Sequence, residues 1–178
     1  LRDEDDYDSY FEDTMKAGHY ENRKESVDIM IRSSREIIHD LVHYGVEFEK
    51  KDGEFAYTRE GAHSKPRILF HEDVTGKEIT RKLLSCVKKL KNVKIYEYTE
   101  MTDIIEKDGE CAGIVARKDG KMIKIFANDT VFASGGIGGT YEHSTNFSHL
   151  TGDAIRISKE HGIKLEHLDY VQIHPTPL

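Results

Sequence analysis

The tripeptide Lys-Asp-Gly stands at 107–109 and again at 118–120, each time between short runs in which apolar and polar residues alternate. Asp-Gly accepts left-handed backbone geometry at little cost and fits the centre of a type I′ turn, whose twist matches that of two paired strands. The runs Met101–Glu106, Cys111–Arg117 and Lys121–Phe126 are therefore predicted to form a three-stranded antiparallel β-meander. Helical patterns lie on both sides of it, so the meander reads as an insertion in an α/β framework.

On the N-terminal side the apolar period changes. Val27, Met30, Ile31, Ser34, Ile37, Ile38, Leu41 and Val42 recur at helical spacing with charges between them. This predicts an amphipathic helix over about 25–44, stopped by Gly45. A shorter helix is expected over about 8–18, behind a mostly acidic lead-in that reads as solvated. Phe55–Tyr57 and Pro66–Phe70 read as extended. Thr75 and Glu78 have the spacing of a capping box at the head of a further helix. Val93–Tyr98 then alternates as a strand, which makes half of a βαβ unit. Past the meander, Thr130–Ala133 reads as a short strand entering Ser134-Gly135-Gly136-Ile137-Gly138-Gly139. A last helix is expected over Thr151–His161, followed by an extended run at Leu165–Ile173.

Composition removes several classes of function. A net charge of −7 and a pI near 5.8 argue against a general nucleic-acid binder. There is no run of about 18 apolar residues, so no membrane-spanning helix is expected. Two cysteines, Cys86 and Cys111, form no CxxC pair and are too few for a disulfide scaffold, which suits a soluble protein of the reducing cytoplasm. His39 and His43 are one helical turn apart, but neither an HExxH glutamate nor a third ligand accompanies them, and no metal is expected.

Four segments can carry chemistry. The glycines after Ala133 let backbone amides approach a phosphate or ring edge, or else make a tight turn at a sheet edge. They match neither a P-loop nor G-x-G-x-x-G, since Tyr141 occupies the third glycine's place. Arg59-Glu60-Gly61-Ala62-His63-Ser64, with Arg67 and His71 behind it, suits a zwitterionic or dicarboxylic ligand, or a surface loop with local ion pairs. Asp153 in Thr151-Gly152-Asp153 sits where a helix dipole favours a carboxylate, or where a ligand hydroxyl finds an acceptor. Pro175 and Pro177 stiffen the last segment and fix where His174 points, toward a ligand carboxylate or into a strand end.

Taken in order, these segments resemble one family. Glu12-Asp13-Thr14, the Arg59–Ser64 segment, Arg67-Ile68-Leu69, Asp73-Val74-Thr75-Gly76, Ala133-Ser134-Gly135-Gly136, Thr151-Gly152-Asp153 and Gln172-Ile173-His174-Pro175-Thr176 are similar to the flavoproteins of succinate dehydrogenase, fumarate reductase and L-aspartate oxidase. The Arg-Glu-Gly-Xaa-His-Ser version resembles the L-aspartate oxidase branch, with Ala62 where that family usually has a second glycine. The resemblance implies FAD as cofactor and a Rossmann-like FAD-binding domain carrying the meander. It implies that Ser134, Gly135, Gly136 and Asp153 bind FAD, that Glu60 orients the substrate ammonium, and that His174 binds a substrate carboxylate.

The implied reaction is oxidation of L-aspartate to iminoaspartate, with oxygen or fumarate as acceptor, at the start of quinolinate and NAD synthesis. Quinolinate synthase is the implied partner. The family's dinucleotide fingerprint and the arginine-bearing capping domain are not in this sequence, so residues 1–178 are expected to be the central part of the FAD-binding domain. The chain alone is then expected neither to hold FAD tightly nor to oxidise aspartate. Two alternatives stand beside this reading: a fumarate reductase or succinate dehydrogenase flavoprotein, which Glu60 disfavours, and a non-catalytic α/β binding module.

Overall fold

In the first of two units, Leu1–Ile95, two helices meet through a small apolar core. Helix α1 (Tyr7–Ala17) and helix α2 (Lys24–His43) bury Met15, Val27 and Ile31 between them, with Tyr7, Tyr10 and Phe11 packed at the edge. Met15 and Ile31 are almost wholly removed from water, which contributes on the order of 1.5–3 kcal/mol each. The pairing is also stapled at its rim. Tyr7 donates its hydroxyl hydrogen to Asp28, and Arg32 lies over the Tyr7 ring, 4.6 Å from its centroid. The computed structural model from which these features are taken describes residues 1–171.

Beyond α2 the chain makes two short antiparallel ladders. Strands β1 (Lys50–Lys51) and β2 (Glu54–Phe55) form a hairpin turned by Asp52 and Gly53, whose φ values are +54° and +87°. This is a third Lys-Asp-Gly turn, and its flanks are too short to show the alternation that reveals the other two. Strands β3 (Tyr57–Thr58) and β4 (Ile68–Leu69) then pair, and the loop 59–67 between them carries the Arg59–Ser64 segment.

Helix α3 (Thr75–Val87) corrects the expected capping box. No side chain caps its first turn. The Thr75 hydroxyl oxygen accepts a hydrogen bond from the His71 amide instead. Glu78 is buried, accepting from the Glu47 amide and pairing with Arg81 and Lys82. A long-range partner has taken the carboxylate that local spacing assigned to the helix start.

The second unit, from Tyr96 onward, is the predicted meander with a helix against it. Strands β5 (Thr99–Lys107), β6 (Glu110–Lys118) and β7 (Lys121–Phe126) pair antiparallel in the order β5-β6-β7. Both connecting turns place Asp and Gly in left-handed geometry, as the sequence requires. Ile104 and Ala116 are buried, while Met122 and Phe126 stand exposed. The β5–β6 register shifts at Thr102, and the carbonyl of that residue accepts a hydrogen bond from Arg156 of helix α4 (Asp153–Glu160) at 3.1 Å. Ile157 of α4 is completely buried.

Two strand expectations fail. Residues 93–98 and 130–133 lie outside regular structure, and Val131 is 86% exposed. Among the described residues no strand lies beside either run, and a strand with no neighbour has no ladder to join. All strand pairs found among the described residues are antiparallel. The expected extended run at Leu165–Ile173 is irregular over its described part, with a turn near Leu168.

Candidate functional site

The Glu60 loop is held from below by one arginine. Arg67 has a side chain only 1% exposed, and its five N–H groups all have acceptors. Nε and Nη2 reach Asp6 Oδ2 and Oδ1 at 2.9 and 2.8 Å, and Nη2 also reaches Ser9 Oγ at 3.0 Å. Nη1 reaches Asp13 Oδ2 at 2.6 Å and His63 Nδ1 at 3.1 Å. A guanidinium accepts nothing, so His63 Nδ1 is the acceptor and the ring proton sits on Nε2. The Tyr10 ring covers the guanidinium at 4.8 Å.

Asp13 joins this hub to the loop. Its Oδ2 accepts from the Ser64 amide and the Ser64 hydroxyl, both at 2.7 Å, besides Arg67. Burial pushes the Asp13 carboxyl up, but the Ser64 amide, Arg67 and the Ser64 hydroxyl outweigh it and hold the group at about 2. The Arg67 guanidinium holds Asp6 well below the usual carboxylate range, against the opposing effect of burial. Asp6 is 3% exposed, the exception in a lead-in whose Arg2, Asp3, Asp5 and Asp8 are exposed as expected. Arg67 is 61 and 54 residues from Asp6 at the α1 N-cap and Asp13 within α1, and the motif segments that contain Asp13 and Arg67 carry no sign that the two side chains pair.

Above this anchor the backbone turns over Glu60–His63, with the His63 amide donating to the Glu60 carbonyl at 3.2 Å. Ala62 takes φ +69°, the position in which the family resemblance has glycine. Glu60 is exposed, and its carboxylate has no hydrogen-bond or ion-pair partner among the described residues. The loop thus presents an unpaired carboxylate from an immobilised base.

In the second unit, the sequence-predicted residues Ser134, Gly135, Gly136 and Asp153 come together. The Gly152 amide donates to the Gly136 carbonyl at 3.2 Å, and the Gly139 amide to the Leu150 carbonyl at 2.9 Å. The segment 136–152 is therefore a closed loop. A Cβ at Gly135 would strike the Leu150 side chain at 2.7 Å, while one at Gly136 would meet nothing within 4 Å. Gly136 thus offers bare backbone on an open side, which fits the approach of a flat ring or a phosphate. Thr151 does not cap α4, whose N-cap is Gly152. Its hydroxyl donates to Asp153 Oδ2 at 3.0 Å, and Oδ1 accepts no hydrogen bond among the described residues. Glu60 belongs to the first unit, and His174 lies outside the described residues.

One further cluster was not foreseen. His161, just past α4, points Nε2 at Asp103 (2.7 Å) and Nδ1 at Glu106 (3.1 Å) of β5. Asp103 first, and Glu106 after it, raise the imidazole above its ordinary value. Nothing local in the sequence joins residues so far apart.

Comparison with known proteins places this geometry. The chain is 42% identical to the L-aspartate oxidase of Clostridium perfringens over 98% of its own length and 40% of that protein's. It is also 42% identical to the L-aspartate oxidase of Clostridium acetobutylicum, over 95% of its length and 39% of the relative's. The chain thus spans about two fifths of the length of these curated relatives. A variant of E. coli quinol fumarate reductase FrdA superposes with a TM-score of 0.86 at 26% identity, covering 90% of this chain and 28% of that one. Among the described residues no helix is long and apolar enough to cross a membrane. With the glycine loop, the Asp153 acceptor and these relatives in view, the match of the FAD binding domain family to residues 1–178 is decisive, and the chain belongs to that family, with FAD as its cofactor.

Proposed function

We propose that this chain is the central part of the FAD-binding domain of an L-aspartate oxidase, which converts L-aspartate to iminoaspartate. The observation that carries the reading is Glu60: an exposed, unpaired carboxylate on a loop anchored through Ser64 and Arg67. Aspartate differs from succinate by one ammonium group, and a fixed carboxylate favours the ligand that brings a positive charge to it. Identity of 42% to two proteins named L-aspartate oxidase supports the same choice.

In this reading Glu60 accepts from the substrate ammonium and orients Cα, while His174 donates to a substrate carboxylate. Backbone at Ser134, Gly135 and Gly136 would hold FAD, and Asp153 would accept from one of its hydroxyl groups. Bound there, the cofactor would supply a two-electron acceptor for the oxidation of aspartate, with oxygen or fumarate as the final acceptor. The product is the substrate that a quinolinate synthase condenses, which is the partner the reading implies.

The test is substrate preference of the complete, FAD-loaded protein. It is expected to oxidise L-aspartate and to leave succinate unoxidised. Glu60→Gln is expected to lower kcat/KM for aspartate about 30- to 100-fold, the worth of roughly 2–3 kcal/mol for a charge-assisted hydrogen bond. Faster oxidation of succinate than of aspartate would overturn the assignment in favour of the quinol fumarate reductase relatives, which share the fold.

A further inference from the structure

The Glu60 loop is supported in two places. The β3–β4 ladder closes the loop at its ends, through Tyr57–Leu69 and Thr58–Ile68. Nothing in that ladder reaches residues 60–64. Ser64 is held by one carboxylate oxygen, Asp13 Oδ2, which takes its amide and hydroxyl at 2.7 Å and Arg67 Nη1 at 2.6 Å, while His63 leans on Arg67 and on the Tyr10 ring. Asp13 itself projects from α1, whose core packing runs through Met15 to α2, with Tyr10 alone of its rings touching the loop, at His63. Arg67 in turn is fixed by the bidentate pair with Asp6, so Asp13 is not needed to keep the guanidinium in place.

We propose that Asp13, with Arg67 behind it, is a positioning residue for amino-acid specificity: it clamps Ser64 to α1 and thereby sets where the Glu60 carboxylate meets the substrate ammonium. The inference rests on the reading of Glu60 given above. Glu60 lies one short turn before Ser64, and the Glu60–His63 hydrogen bond makes that turn a stiff lever between the clamp and the carboxylate. His63 adds to the clamp, because its Nδ1 accepts from the same Arg67 nitrogen that serves Asp13. Removing the Asp13 carboxylate frees two Ser64 donors and lets the turn rock, while α1, α2 and the Asp6–Arg67 pair stay formed. The effect falls on the ligand group that Glu60 binds and spares ligands that lack it.

Three variants of the complete protein, Asp13→Ala, Asp13→Asn and Ser64→Ala, test the clamp with two readouts. The first is amide exchange over residues 60–64. Asp13→Ala is expected to speed it about tenfold or more, Ser64→Ala less, with α2 unchanged. The second is the split between KM and kcat. Asp13→Ala is expected to raise KM for L-aspartate about tenfold with kcat within about twofold, and to weaken competitive binding of succinate less than twofold. Asp13→Asn keeps a carbonyl acceptor for the Ser64 amide and is expected to recover part of both effects. Should Asp13→Ala not fold, the Asn and Ser64 variants decide by the same readouts. Unchanged exchange at 60–64, or equal losses for aspartate and succinate, would overturn the clamp. Absence of aspartate oxidation in the unmodified protein would instead overturn the assigned activity, and the exchange measurement still decides whether Asp13 sets the loop.

Discussion

Ala62 carries the clearest local strain in the loop 59–67. An L-residue in the left-handed region costs about 1–2 kcal/mol, whereas glycine adopts it freely but gives up about 0.5–1 kcal/mol of backbone entropy on folding. At φ +69° the balance favours glycine, so Ala62→Gly is expected to stabilise the first unit by roughly 0.5–1 kcal/mol in urea unfolding. A loss of stability would mean that the methyl group packs usefully. A second residue-scale contrast lies in the meander. Gly109 and Gly113 both have positive φ, but a Cβ at Gly109 meets nothing within 4 Å, and one at Gly113 falls 2.1 Å from the Ile125 carbonyl oxygen. Gly109→Ala is expected to cost about 1–2 kcal/mol, from backbone geometry alone. Gly113→Ala adds a collision with the neighbouring strand, for about 2–5 kcal/mol in all. Equal midpoint shifts for the two variants would contradict this account.

At the scale of elements, two electrostatic ties respond to pH in opposite directions. His161 fastens the end of α4 to β5 through Asp103 and Glu106, with Arg156 of α4 also facing Asp103. Its folded value is raised above the ordinary 6.5, so the tie contributes fully below that value and fades as pH climbs through the raised one. Amide exchange in α4, corrected for intrinsic rates, is expected to accelerate as pH climbs above the ordinary imidazole value of 6.5, and His161→Gln is expected to abolish the dependence. Asp13 behaves the other way. It titrates at about 2 instead of 3.8, so its contribution is present above 3.8 and is lost as pH falls toward about 2. The Ser64 end of the loop is thus expected to loosen only in strong acid, read as faster exchange at 60–64 below about pH 4.

Element boundaries also measure how much the sequence disclosed. The Asp-Gly turns around 108 and 119 and the long helix were legible because each depends on residues adjacent in the chain: a turn needs two φ values, and a helix needs a period. The capping box at Thr75 and Glu78 looked equally sound, yet Glu78 faces inward to Glu47, a partner outside its helix. The candidate site divides along the same line. Glu60, Ser134, Gly135, Gly136 and Asp153 stood out by motif, as did the segments holding Asp13 and Arg67, whereas the part of Asp6 and the Asp13–Arg67 pairing exist only because Arg67 folds back onto α1 and its N-cap.

For the whole molecule, the apolar surface is informative. Val131, Phe126 and Phe147 are each more than 70% exposed, at 86%, 71% and 73%, and the runs 93–98 and 130–133 find no strand beside them among the described residues. The 178-residue polypeptide carries no G-x-G-x-x-G segment to cradle a pyrophosphate at a helix N-terminus. On the reading proposed above, residues 1–178 expressed alone are expected to leave gel filtration without bound FAD and to show no aspartate-dependent hydrogen peroxide. A yellow, flavin-retaining 178-residue polypeptide would refute this.

Chain chemistry alone determined where the backbone turns, which stretches run as helices and which family the motifs belong to, because dihedral preference, hydrophobic period and motif order are properties of neighbouring residues. Tertiary structure decided the rest: that Asp6 of an otherwise exposed lead-in is buried against Arg67, that Asp13 grips Ser64, that His161 sits between two β5 carboxylates, and that two apolar runs remain unpaired among the described residues. Each of those outcomes turns on which distant groups meet, and desolvation makes a buried charge tolerable only where its partner has arrived.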